Sequence, residues 1–283
     1  MSAATARCVL QNGTLRWSSP ILFNDPFDVP RELSFGLSPE DIVRGLASRM
    51  IDLIQQPPES TSELESKVRL IVETVKSGIS EELKNELLVG IEEEAETHRP
   101  VGVSMEAFRE MWRRLLPDFR ILCLTESAAH AAMWYHYADQ YRGVAIEFRC
   151  DDRFDSAWLA ARPVSYPADK PSIYTAAGWA ELLTLEKEIA LSRILEAATY
   201  TKAPDWSYEK EWRITSFRRP SDTGPFTDYG FHREEVSAVY LGPNMSEADR
   251  ASVTSLAGSY PAARLVNVSI GMSREFEFTA TGG

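Results

Sequence analysis

Hydrophobic and polar positions recur with two different periods along the chain. At residues 9–18 the end of a short helix and an Asn-Gly turn are predicted to lead into a strand, in which Leu15 and Trp17 alternate with polar residues. From Ser38, which has the pattern of a helix N-cap followed by proline, apolar residues recur at helical spacing up to residue 117. This pattern predicts a helical insertion. Its helices are predicted at about 38–55, 61–76, 80–97 and 105–116.

After residue 118 the apolar runs are shorter and alternate more often with polar positions, which is typical of strands. Helical patterns separate them only irregularly, and this argues against a doubly wound sheet. We therefore predict an α+β fold, one domain over residues 1–283, with a central mixed or antiparallel sheet and a helical insertion at 38–117. Strands are predicted at 119–125, 143–148, 162–166, 212–217, 236–241, 264–270 and 275–278, and helices at 127–140, 176–201 and 246–257.

The composition is that of a globular, enzyme-sized chain. Hydrophobic residues make up 44% and aromatic residues 10% of the 283 positions, which is enough for a sizeable core. The formal net charge of −12 disfavours non-specific binding to phosphate backbones. No apolar run reaches the roughly 18 residues that a membrane span needs, and the first residues lack a signal-peptide pattern. These features predict a soluble, cytoplasmic protein that does not bind a membrane.

Common catalytic and metal-binding motifs are absent from the sequence. It contains no Gly-rich nucleotide-binding loop, no HExxH and no GxSxG. Cys8, Cys123 and Cys150 form no CxxC pair, and we expect them to be reduced, mostly buried thiols. His130 and His136 are six positions apart, a spacing that does not place two ligands on one helix face. We therefore predict no metal site.

An unusual segment, FNDPFD, occupies residues 23–28. Asn24 and Asp25 can hydrogen-bond the backbone and stabilise a turn before the proline. The segment is either a turn that Phe23 and Phe27 anchor in the core, or a loop that points Asn24 or Asp25 into a cleft walled by the phenylalanines. On the second interpretation, Asn24, Asp25 and Phe27 are candidate ligand-binding residues.

A second unusual segment, MWYHYADQYRGVAIEF, occupies residues 133–148. On a helix, Trp134 and Tyr137 share a face because they are three residues apart. Such an aromatic face belongs either to the core or to a ligand pocket, and buried Tyr hydroxyls need hydrogen-bond partners. Trp134 and Tyr137 are therefore candidate ligand-binding residues.

The third segment, WSYEKEWR at residues 206–213, carries the most charge. In an extended chain Glu209, Glu211 and Arg213 point to one side, and burying them is costly unless they pair. Either Arg213 forms a salt bridge to one carboxylate on a solvated edge, or one carboxylate binds a sugar hydroxyl and stabilises positive charge in a transition state. The candidate catalytic residues are Glu211, Glu209 and Arg213, and Tyr208 is a candidate ligand-binding residue.

These segments resemble, in their order and spacing, a mainly bacterial family, domain of unknown function 2971. The resemblance rests on GTLRWSSPILFNDPFD, on ILCLTESAAHAAMWYHYADQYRGVAIEF, on a VSY strand and on WSYEKEWRI. It covers about residues 8–30 and 119–241, and the helical insertion is the variable part. We predict that the three unusual segments converge on one polar, aromatic-lined site.

The chain also resembles the plan of the ADP-ribosyltransferases. The resemblance rests on the short first helix, the strand that ends in serine and the late strand with Glu-x-Glu, and it implies a split sheet. This resemblance implies that NAD is bound and that Glu211 or Glu209 holds its ribose. It also implies that Tyr137 and Trp134 stack on the nicotinamide. Proteins of this plan often act as toxins or in phage defence. Related sequences begin with an aromatic strand of the type YHYT before the first helix. If that strand supplies a ligand-binding side chain, this chain lacks it.

Three classes of function stay open at this point. The first is an NAD-using, ADP-ribosyltransferase-like enzyme, with a small-molecule nucleotide as ligand and a protein or a nucleic acid as acceptor. The second is a metal-dependent hydrolase or nuclease with a divalent ion between Asp25, Asp28, Glu209 and Glu211. The third is a non-catalytic module that binds a partner through the helical insertion.

Overall fold

The structure, a computed structural model, describes residues 1–25, 27–33, 37–95 and 99–280. The chain divides into two compact units. This division does not test the prediction of a single domain over residues 1–283, which stays a prediction. The helical insertion lies in the second unit together with residues 165–204. The first unit comprises Met1–Leu22, Asp118–Val164 and Asp205–Gly283, and the second comprises Phe23–Pro117 and Ser165–Pro204.

Local capping signals define the helices. Ser38 is the N-cap of the second helix, as predicted, because its hydroxyl accepts a 3.1 Å hydrogen bond from the Asp41 amide. Gly13 ends the first helix with a left-handed φ of 64°, which suits glycine. The helices are α1 (Ala3–Asn12), α2 (Pro39–Gln55), α3 (Ser66–Lys76), α4 (Glu81–Ala95), α5 (Arg99–Leu115), α6 (Ala131–Tyr137), α7 (Ala176–Leu183), α8 (Lys187–Thr199) and α9 (Glu247–Ala257).

The strands belong to the first unit and form two sheets. They are β1 (Thr14–Ser18), β2 (Phe119–Thr125), β3 (Val144–Phe148), β4 (Arg162–Pro163), β5 (Glu211–Phe217), β6 (Phe226–Gly230), β7 (Val236–Leu241), β8 (Arg264–Ile270) and β9 (Phe276–Ala280). One sheet is antiparallel, with the order β4-β5-β2-β1-β6. The other has the order β3-β7-β8-β9 and is mixed, because β7 and β8 are parallel. The α+β class is confirmed, although the strands divide between two sheets where one central sheet was predicted.

Two large hydrophobic clusters, beside a smaller one around Trp134, hold the first unit together. Trp17, Leu122 and Ile214 of the antiparallel sheet form one cluster, against which Ile146 and Phe148 of β3 pack. The two sheets therefore share a core. In the other cluster, α1 and α9 pack against β3 and β7. This arrangement covers one face of the mixed sheet with helices and brings the end of β2 close to β3.

A β-bridge in the second unit explains two differences from the predicted helices. The helix predicted at 61–76 begins only at Ser66, and the helix predicted at 176–201 is broken into α7 and α8. Leu64 and Leu185 form an antiparallel bridge, and neighbouring backbone N–H and C=O groups are hydrogen-bonded across it. Because these backbone groups bond to each other, they cannot continue either helix.

Other boundaries differ locally from the predicted ones. The helix predicted at 127–140 is confined to α6, because Asp139, Gln140 and Tyr141 have left-handed φ values of 49°, 53° and 69° that turn the chain. Strand β6 has no counterpart among the predicted strands, β4 is shorter than predicted, and α5 begins earlier than predicted. The predicted end of the third insertion helix, at Thr97, lies outside the described residues.

Two buried tryptophans hold loop backbone in place in the second unit. The indole of Trp112 donates a 2.8 Å hydrogen bond to the Pro30 carbonyl, and that of Trp179 donates a 2.9 Å hydrogen bond to the Ile173 carbonyl. Both rings are almost completely buried, so these bonds satisfy the only polar atom that each side chain brings into the core.

Candidate functional site

A 3-10 helix before β5 directs the acidic side chains of the third segment. The 3-10 helix ends at Glu209, Lys210 has a left-handed φ of 44°, and β5 begins at Glu211. The prediction of one extended strand carrying both carboxylates on one side is therefore wrong for Glu209. The physical reason is the left-handed residue, which interrupts the alternation of an extended chain before the strand starts.

Glu211 and Arg213 lie on the same face of β5, as predicted, and form a bidentate ion pair. Arg213 Nε donates to Glu211 Oε1 at 2.6 Å, and Nη2 donates to Oε2 at 3.0 Å. Both residues are buried. Strand β5 lies between β4 and β2, so the interpretation as a pair on a solvated edge is wrong about its position. A bidentate geometry compensates much of the cost of removing both charges from water.

Glu209 receives a hydrogen bond from Tyr137, and this bond joins the second and third segments. The Tyr137 hydroxyl donates to Glu209 Oε1 at 2.7 Å. The Thr125 hydroxyl donates to the Glu209 carbonyl oxygen, also at 2.7 Å, and so holds the backbone at this position. Partial burial of the Tyr137 hydroxyl, and then its bond to Glu209, raise the pKa of that tyrosine well above its usual value. At neutral pH Tyr137 is therefore a hydrogen-bond donor to the carboxylate.

Trp134 and Tyr137 differ in exposure although both lie on α6. Trp134 is only 2% exposed, donates its indole N–H to the Ala128 carbonyl at 2.7 Å, and packs edge-on against Phe276. Tyr137 is 49% exposed. Of the two rings predicted to stack on a ligand, only that of Tyr137 reaches the surface. Trp134 holds the loop that follows β2.

Tyr208 stacks on a neighbouring histidine. The rings of Tyr208 and His130 are 5.1 Å apart between centroids and nearly parallel, at 21°, and Trp206 lies 6.0 Å from Tyr208. Tyr208 is half-buried and His130 is exposed. These rings give the outside of the third segment an aromatic surface that a planar ligand could use.

The FNDPFD segment belongs to the second unit, whereas Tyr137 and Glu209 belong to the first. Asp25 Oδ1 accepts a 2.8 Å hydrogen bond from the Phe27 amide, so the turn interpretation is confirmed there. Phe27 is 83% exposed, and the prediction that it anchors the turn in the core is wrong. Asn24 is exposed, and Pro26 lies outside the described residues. The convergence of this segment with the other two stays a prediction.

The second aspartate of the segment has a buried partner within the same unit. The Lys202 ammonium lies 3.7 Å from Asp28 Oδ2, and both side chains are at most 6% exposed. A buried lysine and a buried aspartate compensate each other's charge. Asp28 therefore connects the FNDPFD turn to the chain that follows α8.

A pocket of about 560 Å³, which the sequence did not reveal, opens beside the loop after β2. Its walls combine small apolar residues and two aromatic rings with charged groups at one side. Thr125 belongs both to this pocket and to the contacts of Glu209. The lining residues are Thr125, Glu126, Ser127, Ala128, Ala129, Ala145, Ile146, Glu147, Tyr240, Arg264, Val266, Phe278 and Ala280.

Glu147 is the best-bonded charged group in this pocket. Its Oε1 accepts a 2.5 Å hydrogen bond from the Ser237 hydroxyl, and its Oε2 accepts one from the Tyr240 hydroxyl. Although partial burial acts in the opposite direction, the bonds from Ser237 and Tyr240 and the charge of Arg264 hold the pKa of Glu147 below its usual value. Burial, and then the bond to Glu147, raise the pKa of Tyr240 to about 12. Glu147 is thus ionised and Tyr240 protonated at neutral pH.

One feature of the sequence could have indicated this pocket, namely a charged residue within an apolar strand. Glu147 follows Ala145 at the two-residue spacing of a strand face, inside an otherwise apolar strand. A charged residue on a partly buried strand needs partners. The partner Tyr240 lies on β7, which pairs with β3, and only the strand order brings the two side chains together.

Cys8, Cys123 and Cys150 are exposed, so the prediction that they are mostly buried is wrong. In the described part of the chain, no group of three or more His, Cys, Asp or Glu side chains could hold a metal ion. The metal-dependent alternative also needs residues from both units, since Asp25 and Asp28 lie in the second and Glu209 and Glu211 in the first. Among the helices described, none has both the length and the apolar content for a membrane span.

Fold and site together define an α+β protein with a tyrosine–carboxylate hydrogen bond and a neighbouring pocket. The chain matches the model of the family described as "Protein of unknown function (DUF2971)" over residues 133–214. The match contains most of α6, the Tyr137–Glu209 bond and the start of β5, so the resemblance to this family is confirmed over that stretch. No curated protein and no solved structure matches the chain.

Proposed function

We propose that the chain is an ADP-ribosyltransferase-like enzyme that uses NAD, with Glu209 as the carboxylate that acts on the ribose. The observation that carries the proposal is the Tyr137–Glu209 hydrogen bond of 2.7 Å, made by a half-exposed tyrosine. Because Glu209 is only 2% exposed, the proposal requires that NAD binding uncovers it beside the half-exposed Tyr137. The carboxylate can then accept a hydrogen bond from a ribose hydroxyl and stabilise positive charge that develops on the sugar. A toxin or phage-defence role is the setting that we propose for this activity.

Between the two candidate carboxylates, the contacts favour Glu209. Both oxygens of Glu211 are bonded to Arg213, whose positive charge compensates that of the carboxylate. Glu209 instead accepts a hydrogen bond from Tyr137, whose half-exposed ring reaches the surface, whereas Arg213 is fully buried. In the proposal Glu211 and Arg213 are positioning residues that hold the start of β5, and Tyr137 orients Glu209.

The reaction follows from the charge of the leaving group. The bond between ribose C1″ and the nicotinamide nitrogen breaks, and its electron pair neutralises the positive pyridinium ring. The sugar then carries oxocarbenium character, which the Glu209 carboxylate stabilises. An acceptor nucleophile, or water in its absence, forms the new bond to C1″ and loses a proton to the solvent.

The experiment measures nicotinamide release from NAD by the full chain. No acceptor is added, so water takes that role. We expect Glu209→Gln to abolish turnover with its thermal unfolding unchanged within a few degrees. Glu234→Gln is the matched control, because Glu234 is an exposed glutamate of the same unit. Release at the wild-type rate by Glu209→Gln, or no release by the wild-type chain, would contradict the proposal.

Addition of EDTA separates this proposal from the metal-dependent hydrolase or nuclease. The transfer described above needs no divalent ion, so EDTA should leave nicotinamide release unchanged. Loss of activity with EDTA and its recovery with a divalent cation would favour the metal-dependent reaction instead.

A second candidate, a non-catalytic interaction module, is favoured by the surface of α3 and α4. Leu70 is 67%, Leu83 44% and Val89 52% exposed, and α4 has no buried residue. Exposed aliphatic side chains of this kind suit a partner protein. A triple substitution of Leu70, Leu83 and Val89 by serine would abolish a growth phenotype that depends on binding, whereas it would leave nicotinamide release intact.

A further inference from the structure

The pocket against the mixed sheet carries chemistry that the proposed transferase reaction does not use. Its charged residues are Glu147, Arg264 and Glu126, of which Glu126 is paired with Lys210 at 3.4 Å. Its walls are formed by Ala145, Val266 and Phe278 among others. We propose that this pocket binds a guanine ring, as the free nucleoside or as part of a nucleotide, with the edge that carries two adjacent N–H donors on Glu147.

The carboxylate of Glu147 offers acceptor positions only. Each carboxylate oxygen has two lone pairs. Ser237 occupies one on Oε1 and Tyr240 occupies one on Oε2, so a further acceptor position is left on each oxygen. The side chain is 40% exposed and lines the pocket, so a ligand can reach it. Two adjacent acceptor oxygens of this kind match a ligand edge with two adjacent donors.

The charge beside the carboxylate selects against cations. Arg264 Nη2 lies 3.9 Å from Glu147 Oε1, so the negative charge of Glu147 already has a counter-charge. An ammonium or guanidinium ligand at the same carboxylate would meet Arg264 and be repelled. A neutral ligand with N–H donors avoids this repulsion and can still form charge-assisted hydrogen bonds.

The walls and size of the pocket suit a flat ring. Tyr240 and Phe278 meet edge to face with their centroids 5.8 Å apart, and Phe278 is 42% exposed. Alanine and valine side chains complete the apolar surface. A volume of about 560 Å³ lies within the range of roughly 300–1,000 Å³ that small-molecule pockets occupy.

Among purines, guanine alone fulfils the donor requirement. It presents N1–H and an N2 amino hydrogen side by side, so both can bond an ionised carboxylate. Hypoxanthine presents only N1–H, and adenine presents its amino group beside an acceptor nitrogen that the carboxylate would repel. A site built on paired acceptors therefore favours guanine over purines that lack one of the two donors by about fivefold or more.

The test is calorimetric titration of the full chain with guanosine, inosine and adenosine, in the absence of NAD. We expect guanosine to bind more tightly than inosine by at least about fivefold, and adenosine to bind weakest. Glu147→Gln replaces one acceptor by a donor and should weaken guanosine binding about tenfold or more. Glu277→Gln, on the neighbouring position to Phe278 in β9 and outside the pocket lining, should leave it unchanged.

A second variant keeps the inference testable if Glu147→Gln fails to fold. Ala280→Trp, at an exposed position of the pocket wall, fills the pocket without touching the carboxylate and should abolish guanosine binding. Equal affinity for the three nucleosides, or no saturable guanosine binding up to its solubility limit, would overturn the inference. Neither result bears on nicotinamide release, so the inference and the proposed function fail independently.

Discussion

The hydroxyl of Tyr137 lies 2.7 Å from Oε1 of Glu209, although the two residues are 72 positions apart in the sequence. The contact joins the end of α6 to the end of the 3-10 helix that precedes β5. Glu209 is almost completely buried and Tyr137 is half-exposed, so the hydrogen bond connects the interior of the unit with its surface. A substitution of Tyr137 therefore tests the bond without changing the buried carboxylate.

Tyr137→Phe removes this donor with little change in shape. A hydrogen bond to a charged group contributes about 1.5–3 kcal/mol. In the proposed reaction we therefore expect kcat for nicotinamide release to fall roughly ten- to hundredfold. Tyr135→Phe is the control, since Tyr135 is 48% exposed on the same helix. Equal kcat values for the two variants would show that the bond to Glu209 is not used.

Arg213→Met should destabilise the first unit strongly. It leaves the Glu211 carboxylate buried without its bidentate partner, and breaking a buried pair in this way costs about 3–5 kcal/mol of unfolding free energy. The double variant Glu211→Leu, Arg213→Met should recover part of the loss, because it removes the isolated charge as well. Urea unfolding measures both values. A double variant that is less stable than Arg213→Met would contradict this account of the pair.

Tyr240 makes stability depend on pH on the alkaline side. Burial and the bond to Glu147 raise its pKa from 10.0 to about 12 in the folded chain. Since the folded pKa is raised, this stabilisation is complete below about pH 10 and is lost as the pH rises towards 12. The stability difference between wild type and Tyr240→Phe should shrink over that window in urea unfolding. A constant difference would show that Tyr240 does not titrate in this way.

Two glycines of the second unit should respond to alanine in opposite directions. A Cβ at Gly178 would lie 2.1 Å from the Ser172 carbonyl oxygen, so Gly178→Ala should cost about 1–3 kcal/mol or more. A Cβ at Gly90, inside α4, would meet nothing within 4 Å, and Gly90→Ala should stabilise by about 0.5–1 kcal/mol. Thermal unfolding of the two variants gives the signs directly. A stabilised Gly178→Ala would exclude this close approach of the two backbones.

The local patterns of the sequence predicted most of the helices and strands correctly. Caps such as Ser38, helical spacing in the insertion and the short apolar runs of β2 and β7 depend on neighbours in the chain, so they can be recognised without knowledge of the fold. Where a long-range contact competes with local helix formation, the helices predicted from the local pattern are wrong. The bridge between Leu64 and Leu185 interrupts two predicted helices, because its partners are far apart in the sequence.

By itself the sequence determined the α+β class, the helical insertion and the same-face placement of Glu211 and Arg213, because each follows from a local periodicity. Only the tertiary structure decided that Glu209 accepts a hydrogen bond from Tyr137, since the left-handed Lys210 separates Glu209 from the extended strand that starts at Glu211. It also decided that Glu147 meets Tyr240 in a pocket. These contacts depend on strand order and on residues far apart in the chain, which no local pattern encodes.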